Sequence, residues 1–484
     1  MTQTPAALDQ TVAPLFDAMK AWRDQGVHRL FMPGHRGRDD GAIRELLPPE
    51  ILALDLPSME ATDSPFAPAG CILEAQRLAA DAFGAFATEM LVHGSTIGVQ
   101  ASMMTALSPG EGLLLNRAAH MSVFSALVLA NVRPRFMPTT CDEVVGPLPT
   151  TAAQVEAGLI EHPDVRAVLV TSPTYHGLTA DIRAIAEVVH RHGRWLIVDE
   201  AHGAHLSFLP DHHPRSALDL GADLVVQSAH KTLTALNGGA YVHVGHEAAP
   251  LAPVLRQRLN LLRTTSPSYL VLASLDLARR DVALRGAARF AQAASRAERL
   301  RRRMAAIPGL QVLHRDRTPE GCGLDPLKLI VDVAGTGMSG FDLEQAIEHH
   351  ARVLGEFATT RTLAFALGPS DDEAAYDALV EGISRLAPAT HVPVSPPRRD
   401  CFESPPMVTD PCAAVYAPKE NVARQRAEGR ISGERITAYP PGIPLLLPGE
   451  RITASAIREM ESLREHAHYV MAHDRELRQV TVLV

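Results

Sequence analysis

Short apolar runs alternate with segments of helical spacing from about residue 75 to residue 244 of this chain. The apolar run at 168–170 is followed by a helix-like segment at 182–192, which Gly193 closes, and then by the apolar run 196–198. A repeated order of strand, helix and strand is typical of βαβ units with right-handed crossovers. The pattern therefore predicts an α/β fold with a mainly parallel sheet.

The pattern changes on both sides of this stretch. A helix-like segment precedes loops rich in proline and glycine near the start, and an arginine-rich helical segment follows the alternating region. Beyond it, two strand-like runs at 328–332 and 362–366 flank a helical segment at 342–349, which indicates a small α+β domain. A proline-rich stretch then predicts a linker. The predicted boundaries are an N-terminal segment at 1–65, a large domain at 66–275, a bridging helix and small domain at 276–386, a linker at 387–400 and a C-terminal domain at 401–484.

Two predicted strands end in residues that can perform chemistry. Asp199 follows the apolar run 195–198, and Lys231, one of four lysines against forty-two arginines, follows the run 223–226. Ligands of open parallel sheets bind at such carboxyl ends. A lysine with a lowered pKa can form a Schiff base with pyridoxal phosphate (PLP), and an acid beside the pyridine nitrogen keeps the ring an electron sink. Taken alone, Lys231 is also compatible with a surface lysine, and Asp199 with a capping residue.

Two further elements add to this set. Gly94, Ser95 and Thr96 precede a stretch that can form a helix, so they could offer backbone N–H groups, hydroxyls and a favourable helix dipole to a phosphate. The imidazole of His120 could lie over a cofactor ring. Each also has an ordinary structural interpretation, as helix-cap chemistry and as a packed histidine respectively.

Six motifs, in this order along the chain, resemble those of the ornithine/lysine/arginine decarboxylase family. They are Phe-Met-Pro-Gly-His at 31–35, Gly-Ser-Thr at 94–96, Asp-Glu-Ala-His-Gly-Ala-His at 199–205, Ser-Ala-His-Lys at 228–231, Thr-Thr-Ser-Pro-Ser-Tyr at 264–269, and Tyr-Pro-Pro-Gly-Ile-Pro at 439–444 with Pro-Gly-Glu at 448–450. The resemblance runs from about residue 12 to near the C-terminus. It implies the PLP-dependent, aspartate-aminotransferase-like fold known as fold type I, and the compact, biosynthetic-type branch without an N-terminal wing domain.

The resemblance also implies roles for particular residues. Lys231 would form the Schiff base, Asp199 would face the pyridine nitrogen, and His120 would stack on the ring. His202 would lie near the ring edge. The residues implied for the cofactor phosphate are Ser95, Thr96, Ser228 and His230 within the chain, and Thr265 and Ser266 across to a neighbouring subunit. The active site should then need a homodimer or a higher oligomer.

The implied reaction is the decarboxylation of arginine, lysine or ornithine to the amine, in polyamine formation. The proton that replaces the carboxylate has two candidate donors, Lys231 and His202. Glu434, Glu60 and Asp63 are acids that could receive the distal cation of such a substrate, although each is also compatible with a structural salt bridge or an exposed position.

Several positions depart from the family pattern. Residues 62–66 read Thr-Asp-Ser-Pro-Phe where an acid and a histidine are expected, Met121 replaces a frequent lysine, and His93 replaces an asparagine. These changes leave the substrate open to a modified basic amino acid. Two alternatives to decarboxylation also remain: another PLP reaction such as transamination, elimination or retro-aldol cleavage, and a non-catalytic PLP-binding relative.

Composition narrows the class of protein. With 484 residues, 46% hydrophobic and 21% charged, the chain can bury a large core. The net charge of −9 argues against nucleic acid as a partner and suits a cationic substrate. Neither a leader segment nor an apolar run of about 18 residues is evident, so membrane insertion is not expected. The five cysteines lack metal-site spacing, which predicts reduced thiols in a cytoplasmic protein without a metal. They are Cys71, Cys141, Cys322, Cys401 and Cys412.

Overall fold

The computed structural model describes residues 8–38, 41–386, 404–438, 442–466 and 469–484. The chain divides into two compact units. The first unit comprises Met1–Ala106, Ile197–Leu209 and Arg215–Ala288, and the second comprises Leu107–Leu196, Pro210–Pro214 and Arg289–Val484. The linker expected at 387–400 lies outside the described residues, and the domain boundaries drawn from the sequence stay predictions.

Helices account for much of the described chain, and none of them is long and apolar enough to cross a membrane. Most helices expected from periodicity are confirmed, although their ends are shifted. Helix α7 ends at Arg191 where the prediction was 192, and α10 begins seven residues before the predicted 276. The helices are α1 Pro14–Asp24, α2 Pro49–Leu52, α3 Cys71–Phe83, α4 Ser95–Ala106, α5 Met121–Ala130, α6 Ala152–Glu161, α7 Ile182–Arg191, α8 Ala229–Thr232, α9 Ala252–Leu262, α10 Tyr269–Ala305, α11 Gly340–Ala351, α12 Glu373–Leu386, α13 Pro411–Tyr416 and α14 Ala454–His466.

The strands are short, and the apolar runs singled out in the sequence coincide with several of them. The strands are β1 Ala87–Leu91, β2 Gly112–Asn116, β3 Arg133–Met137, β4 Cys141–Asp142, β5 Gly146–Pro147, β6 Val165–Thr171, β7 Leu178–Thr179, β8 Trp195–Asp199, β9 Leu224–Gln227, β10 Ala240–Val244, β11 Gln311–Val312, β12 Gly323–Leu324, β13 Lys328–Asp332, β14 Phe357–Ala358, β15 Thr362–Ala366, β16 Lys419–Ala423, β17 Ile436–Ala438, β18 Pro444–Leu446, β19 Val470–Met471 and β20 Gln479–Leu483.

The largest sheet has seven strands in the order β1-β10-β9-β8-β6-β2-β3. The pairs β8–β9, β2–β6 and β2–β3 are parallel, whereas β10 runs antiparallel to both β1 and β9. Because β10 alone is reversed among these pairs, β1 runs in the same direction as β9 and β8. The predicted mainly parallel α/β sheet is therefore confirmed, and the strands β1, β9 and β8 end at the same edge.

In the first unit, α4 packs closely on the sheet because of one glycine. A Cβ atom at Gly98 would lie 2.7 Å from a methyl carbon of Val226, on β9, which is closer than real side-chain contacts allow. A helix can approach a strand this closely only where it carries no side chain. Gly98 therefore lets the start of α4 lie near the end of β9.

The second unit contains a smaller four-stranded antiparallel sheet in the order β11-β13-β15-β14. Helices α11 and α12 pack together beside it, around a core that includes Leu329, Val331 and Leu363. This is the α+β arrangement that the sequence predicted between 328 and 386. Farther along, β16 pairs with β20, and β17 lies between β18 and β19, around a core that includes Ile436 and Met460.

A buried ion pair in the second unit joins Arg117, between β2 and α5, to Glu450, in the chain that follows β18. The Nε and Nη2 atoms of Arg117 donate to the two carboxylate oxygens of Glu450 at 2.8 and 2.9 Å, and both side chains are 0% exposed. Arg117 also donates to the carbonyl of Pro444 at 2.8 Å and lies over the ring of Phe124. Burial raises the pKa of Glu450, and Arg117 opposes that rise.

Candidate active site

The first unit brings together three segments that follow strand ends at one edge of the sheet. β8 ends at Asp199, β9 ends at Gln227, and β1 leads through residues 92–94 into α4. The parallel pairing of β8 and β9 sets Asp199 opposite Val226. These ends share the edge at which open parallel sheets bind their ligands, and the binding of one ligand by the side chains that follow them stays a prediction.

Lys231 lies in α8, a single helical turn that begins directly after Ser228. The Nζ atom of Lys231 is 3.0 Å from the Nε2 atom of His202, which is hydrogen-bond distance. Lys231 is exposed and His202 is half-buried. The two candidate proton donors therefore lie within hydrogen-bond distance of each other, and Lys231 is exposed in the single chain.

A pair of serine hydroxyls joins α4 to the end of β9. The Oγ of Ser228 donates to the Oγ of Ser95 across 2.9 Å, although the two residues are 133 positions apart in the chain. The backbone beside them is also tied, since the N–H of Gly94 donates to the carbonyl of Gly238 at 2.7 Å. Thr96 follows as an exposed residue in the first turn of α4. Two hydroxyls and a helix N-terminus therefore lie together after β1 and β9, and their role toward a phosphate stays a prediction.

His230 is oriented by the loop that precedes β10. Its Nδ1 atom is 2.9 Å from the carbonyl oxygen of Gly239, which also accepts the backbone N–H of His230 at 3.1 Å. Because a carbonyl only accepts, Nδ1 carries the proton and Nε2 presents a lone pair. Burial lowers the pKa of His230, the bond to Gly239 opposes this, and the charge of Lys231 lowers it further. The imidazole is therefore neutral near pH 7.

Asp199 is buried, with 4% of its surface exposed, at the end of β8. Its Oδ1 accepts the backbone N–H of Ala201 at 3.2 Å, so it caps the following turn as the structural alternative anticipated. A carboxylate has capacity for further donors beyond this single bond. Capping the turn and facing a protonated ring nitrogen are therefore compatible roles.

His120 belongs to the second unit, where it directly precedes α5. It is half-buried and caps α5, where its Nδ1 is 2.9 Å from the hydroxyl of Ser122 and accepts the backbone N–H of that residue at 3.2 Å. The neighbouring Met121 donates its N–H to the carbonyl of Gly442 at 3.0 Å. The start of α5 is thus tied to the Tyr-Pro-Pro-Gly motif, whose residues 439–441 lie outside the described part of the chain.

Thr265 and Ser266 lie exposed in the loop between α9 and α10, as expected for residues that reach another subunit. Arg263, at the start of this loop, donates through Nη2 to the buried Glu89 at 2.6 Å. Ser266 donates its N–H to the hydroxyl of Thr264 at 3.2 Å. The role of this loop toward a neighbouring phosphate stays a prediction.

The three acids suggested for substrate binding lie in different environments. Both oxygens of Glu434 accept backbone N–H groups, from His473 and Thr481, each at 2.6 Å. Asp63 caps α3 and accepts from Gly70 at 2.8 Å; burial raises its pKa, but backbone hydrogen bonds outweigh this and lower it. Glu60 is exposed on a short helical turn. These contacts favour the structural alternative for Glu434 and Asp63.

Sequence reasoning missed a set of buried polar residues beneath the strand ends. Glu200, Gln227, His243 and Thr88 are each at most 4% exposed and are connected by hydrogen bonds. The available signal, for Glu200, Gln227 and His243, was a polar residue within an apolar run or at its end. A polar residue in such a position has a partner when it is buried.

The fold and the strand-end residues define a class of protein. The carboxyl edge of the α/β sheet presents a lysine amine, a buried aspartate and a helix start with hydroxyl groups. This set suits an aldehyde cofactor that carries a phosphate. The fold is that of the PLP-dependent enzymes of fold type I. Residues 13–365 match the major domain of the Orn/Lys/Arg decarboxylases, and residues 404–471 match their C-terminal domain. The chain belongs to this family. It is an amino acid decarboxylase that acts on a basic amino acid, as the sequence predicted.

Individual relatives agree with this assignment. The chain is 34% identical to an arginine decarboxylase of Halalkalibacterium halodurans, over 92% of each chain, and 31% identical to an arginine decarboxylase of Bacillus subtilis, over 93% of each. The structure superposes on the lysine decarboxylase LdcF of Francisella novicida with a TM-score of 0.82 at 17% identity, covering 98% of this chain and 81% of that one. The last similarity concerns the fold alone.

Proposed function

We propose that this protein decarboxylates arginine with pyridoxal phosphate as cofactor. The observation that carries the proposal is the grouping of Lys231, His202, Asp199 and the Ser95–Ser228 pair along one edge of the sheet in the first unit. Arginine is favoured over lysine and ornithine because four relatives of 31–34% identity are arginine decarboxylases.

The residues present suit the cofactor. Lys231 offers the amine for a covalent bond to an aldehyde, and Ser95, Ser228 and the start of α4 offer donors to a phosphate. Thr96 would add its hydroxyl to the phosphate site, as the family resemblance implies. His230, which the same resemblance assigns to the phosphate, presents a lone pair at Nε2 and would have to take up a proton there to donate to a phosphate. The stacking role of His120 stays an expectation of the resemblance. When bound, the cofactor would supply a sink for the electron pair left by carbon dioxide, and the buried carboxylate of Asp199 would hold a proton on the ring nitrogen.

The neighbouring Nζ of Lys231 and Nε2 of His202 provide a route for the proton that the reaction needs. At 3.0 Å the two atoms can exchange a proton directly. When substrate occupies the site, either group can hold the proton that is delivered to the substrate α-carbon. The His202→Gln variant should therefore keep cofactor binding but lose a large part of kcat. A variant without the Lys231 amine should lose both cofactor binding and turnover.

The complete site is proposed to need a homodimer. Lys231 is exposed in the single chain, and the exposed Thr265 and Ser266 are available to reach a neighbour's phosphate. A second subunit would then also supply the desolvation that lowers the pKa of a reactive lysine. The product agmatine would place the reaction in polyamine formation.

The test is the release of carbon dioxide with mass-spectrometric identification of the product, using purified protein loaded with pyridoxal phosphate. Arginine, lysine and ornithine are supplied separately. Carbon dioxide and agmatine in equal amounts, from arginine only, is the expected result. Cadaverine or putrescine instead would reassign the substrate, and silence on all three with a normal cofactor absorbance would point to a modified amino acid or to another PLP reaction.

A further inference from the structure

A continuous line of buried side chains crosses four neighbouring strand segments of the first unit. The hydroxyl of Thr88 is 2.8 Å from Nδ1 of His243, Nε2 of His243 is 3.1 Å from Oε1 of Gln227, and Nε2 of Gln227 donates to Glu200 at 2.6 Å. These residues belong to β1, β10, β9 and the position just after β8. We call the four side chains the cross-strand network.

The orientation of the Gln227 amide assigns a direction to each hydrogen bond in the cross-strand network. Gln227 donates through its amide nitrogen to Glu200, so its oxygen faces His243 and accepts from Nε2. Nδ1 of His243 then has a lone pair, which accepts the hydroxyl proton of Thr88. Burial lowers the pKa of His243 to about 3, which agrees with a neutral ring that donates once and accepts once.

Glu200 ends the line as an acceptor of three donors. Besides Gln227, the hydroxyl of Ser216 donates to it at 2.9 Å and the backbone N–H of Ala217 at 2.8 Å. Burial raises the pKa of Glu200 to about 7, and these hydrogen bonds oppose the rise. An isosteric amide at position 200 would turn one of its acceptors into a donor facing other donors.

The cross-strand network is adjacent in sequence to two residues of the candidate site. Glu200 directly follows Asp199, and Gln227 directly precedes Ser228. The backbone N–H of Glu200 also donates to the carbonyl of Val226 at 2.9 Å, so β8 and β9 are joined by main chain and side chain at the same level. Small displacements at a strand end move the side chain that follows it.

We propose that the cross-strand network holds the ends of β8 and β9 in register, so that Glu200 and Gln227 are positioning residues for Asp199 and Ser228. The inference rests on the proposed function, because it assigns the network to the cofactor site. Buried polar side chains that are fully paired specify one arrangement of the elements they join. A site whose supporting residues are altered keeps its groups but loses their alignment.

The first experiment compares Glu200→Gln, Gln227→Glu and the double variant that carries both. Each single variant breaks the donor and acceptor order, whereas the exchange restores one amide and one carboxylate between β8 and β9. The single variants should bind pyridoxal phosphate at least about tenfold more weakly in an absorbance titration and should shift the pH midpoint of the bound cofactor's visible absorbance. The double variant should recover affinity to within about threefold of the wild type.

Asp276→Asn is the matched control. Asp276 is also buried in the first unit, where it accepts the N–H of Leu15 at 3.0 Å and pairs with Arg279 at 2.6 Å, but it adjoins neither Asp199 nor Ser228. This variant should lower the unfolding temperature and leave the cofactor affinity and absorbance unchanged. Thr88→Val, at the far end of the network, serves if the Glu200 variants do not fold, and should weaken cofactor binding about two- to threefold.

Three results would overturn the inference. The first is a single variant that loses thermal stability like Asp276→Asn but keeps wild-type cofactor affinity and absorbance. The second is an exchange variant that binds cofactor no better than the weaker single variant, and the third is a Thr88→Val protein with unchanged affinity. A wild-type protein that takes up no cofactor would instead contradict the proposed function, since the inference depends only on differences among variants.

Discussion

The ion pair of Arg117 with Glu450 and the contact of Lys231 with His202 both involve residues of the family motifs, but their surroundings differ. Arg117 and Glu450 are wholly buried, and the guanidinium is hydrogen-bonded to both carboxylate oxygens and to a carbonyl. Lys231 is exposed at the end of a strand, 3.0 Å from a half-buried imidazole. Arginine keeps its charge and suits a planar, permanent pair, whereas a lysine amine can lose its proton. The first contact is suited to holding the fold and the second to chemistry.

Replacing Lys231 with Ala is the most severe way to test the reactive side of this comparison. The variant should lose the visible absorbance of bound cofactor and all decarboxylation together, because it lacks the amine proposed to bond the cofactor. Its apo-protein stability should change by less than about 0.5 kcal/mol, since the side chain is exposed. Absorbance, carbon dioxide release and chemical denaturation measure the three quantities.

Lys419→Ala is the control, because Lys419 is also exposed and donates to a single backbone carbonyl, that of Val415. This variant should keep full activity. Turnover by the Lys231 variant would contradict the assignment of that residue.

Replacing Arg117 with Ala tests the buried side of the comparison. The carboxylate of Glu450 would remain buried without its cation, which costs roughly 3–5 kcal/mol of unfolding free energy. The measurement is urea denaturation of the apo-protein. Converting both residues to apolar ones, Arg117→Met with Glu450→Leu, should restore much of the loss. A single variant within 1 kcal/mol of the wild type would mean that the pair does not hold the fold.

The pH dependence of the unfolding free energy distinguishes the neutral, buried His243 from the charged Arg117 and Glu450. Burial lowers the pKa of His243 from 6.5 to about 3, so the unfolded chain binds a proton that the folded chain refuses. The stability that this provides is present above pH 6.5 and is lost, by on the order of a few kcal/mol, as the pH falls toward 3.

Glu200 contributes the opposite slope, because its raised pKa makes stability decline between about 4.5 and 7 as the pH rises. Because Glu200 is present in both proteins, the test compares the unfolding free energy of the wild type with that of His243→Asn, measured by denaturation from pH 7 to pH 4. The difference should shrink as the pH falls. A difference that is constant with pH would show that His243 does not titrate as its burial implies.

The smallest effect is expected for Glu434→Gln. An amide can accept only one of the two backbone bonds from His473 and Thr481, so the variant should lose about 1 kcal/mol of stability. The values of kcat and KM for arginine should remain those of the wild type. A large rise in KM with unchanged stability would instead return Glu434 to the substrate site.

Much of the fold was predictable because its signals are local. The apolar runs at β6, β8, β13 and β15 and the periodicity of α7 appear in consecutive residues, where burial on a strand or a helix face imposes its spacing directly. The position of Asp199 and Lys231 at or after strand ends was also predictable, because each follows such a run, whereas their roles stay predictions. The bounds were less accurate. The sequence extended α7 to 192, whereas the helix ends at Arg191 and His192 is its C-cap.

The sequence by itself therefore determined the class of fold, the family and the residue types at the strand ends. The tertiary structure decided which of these groups meet. Ser95 and Ser228 are 133 residues apart and become neighbours because β1 and β9 run in the same direction on either side of the reversed β10, and because Gly98 admits α4 close to β9. The cross-strand network likewise depends on strand order, since its four members lie on or beside four different strands. Spacing along the chain records burial, whereas pairing between distant segments depends on the packing of the whole sheet.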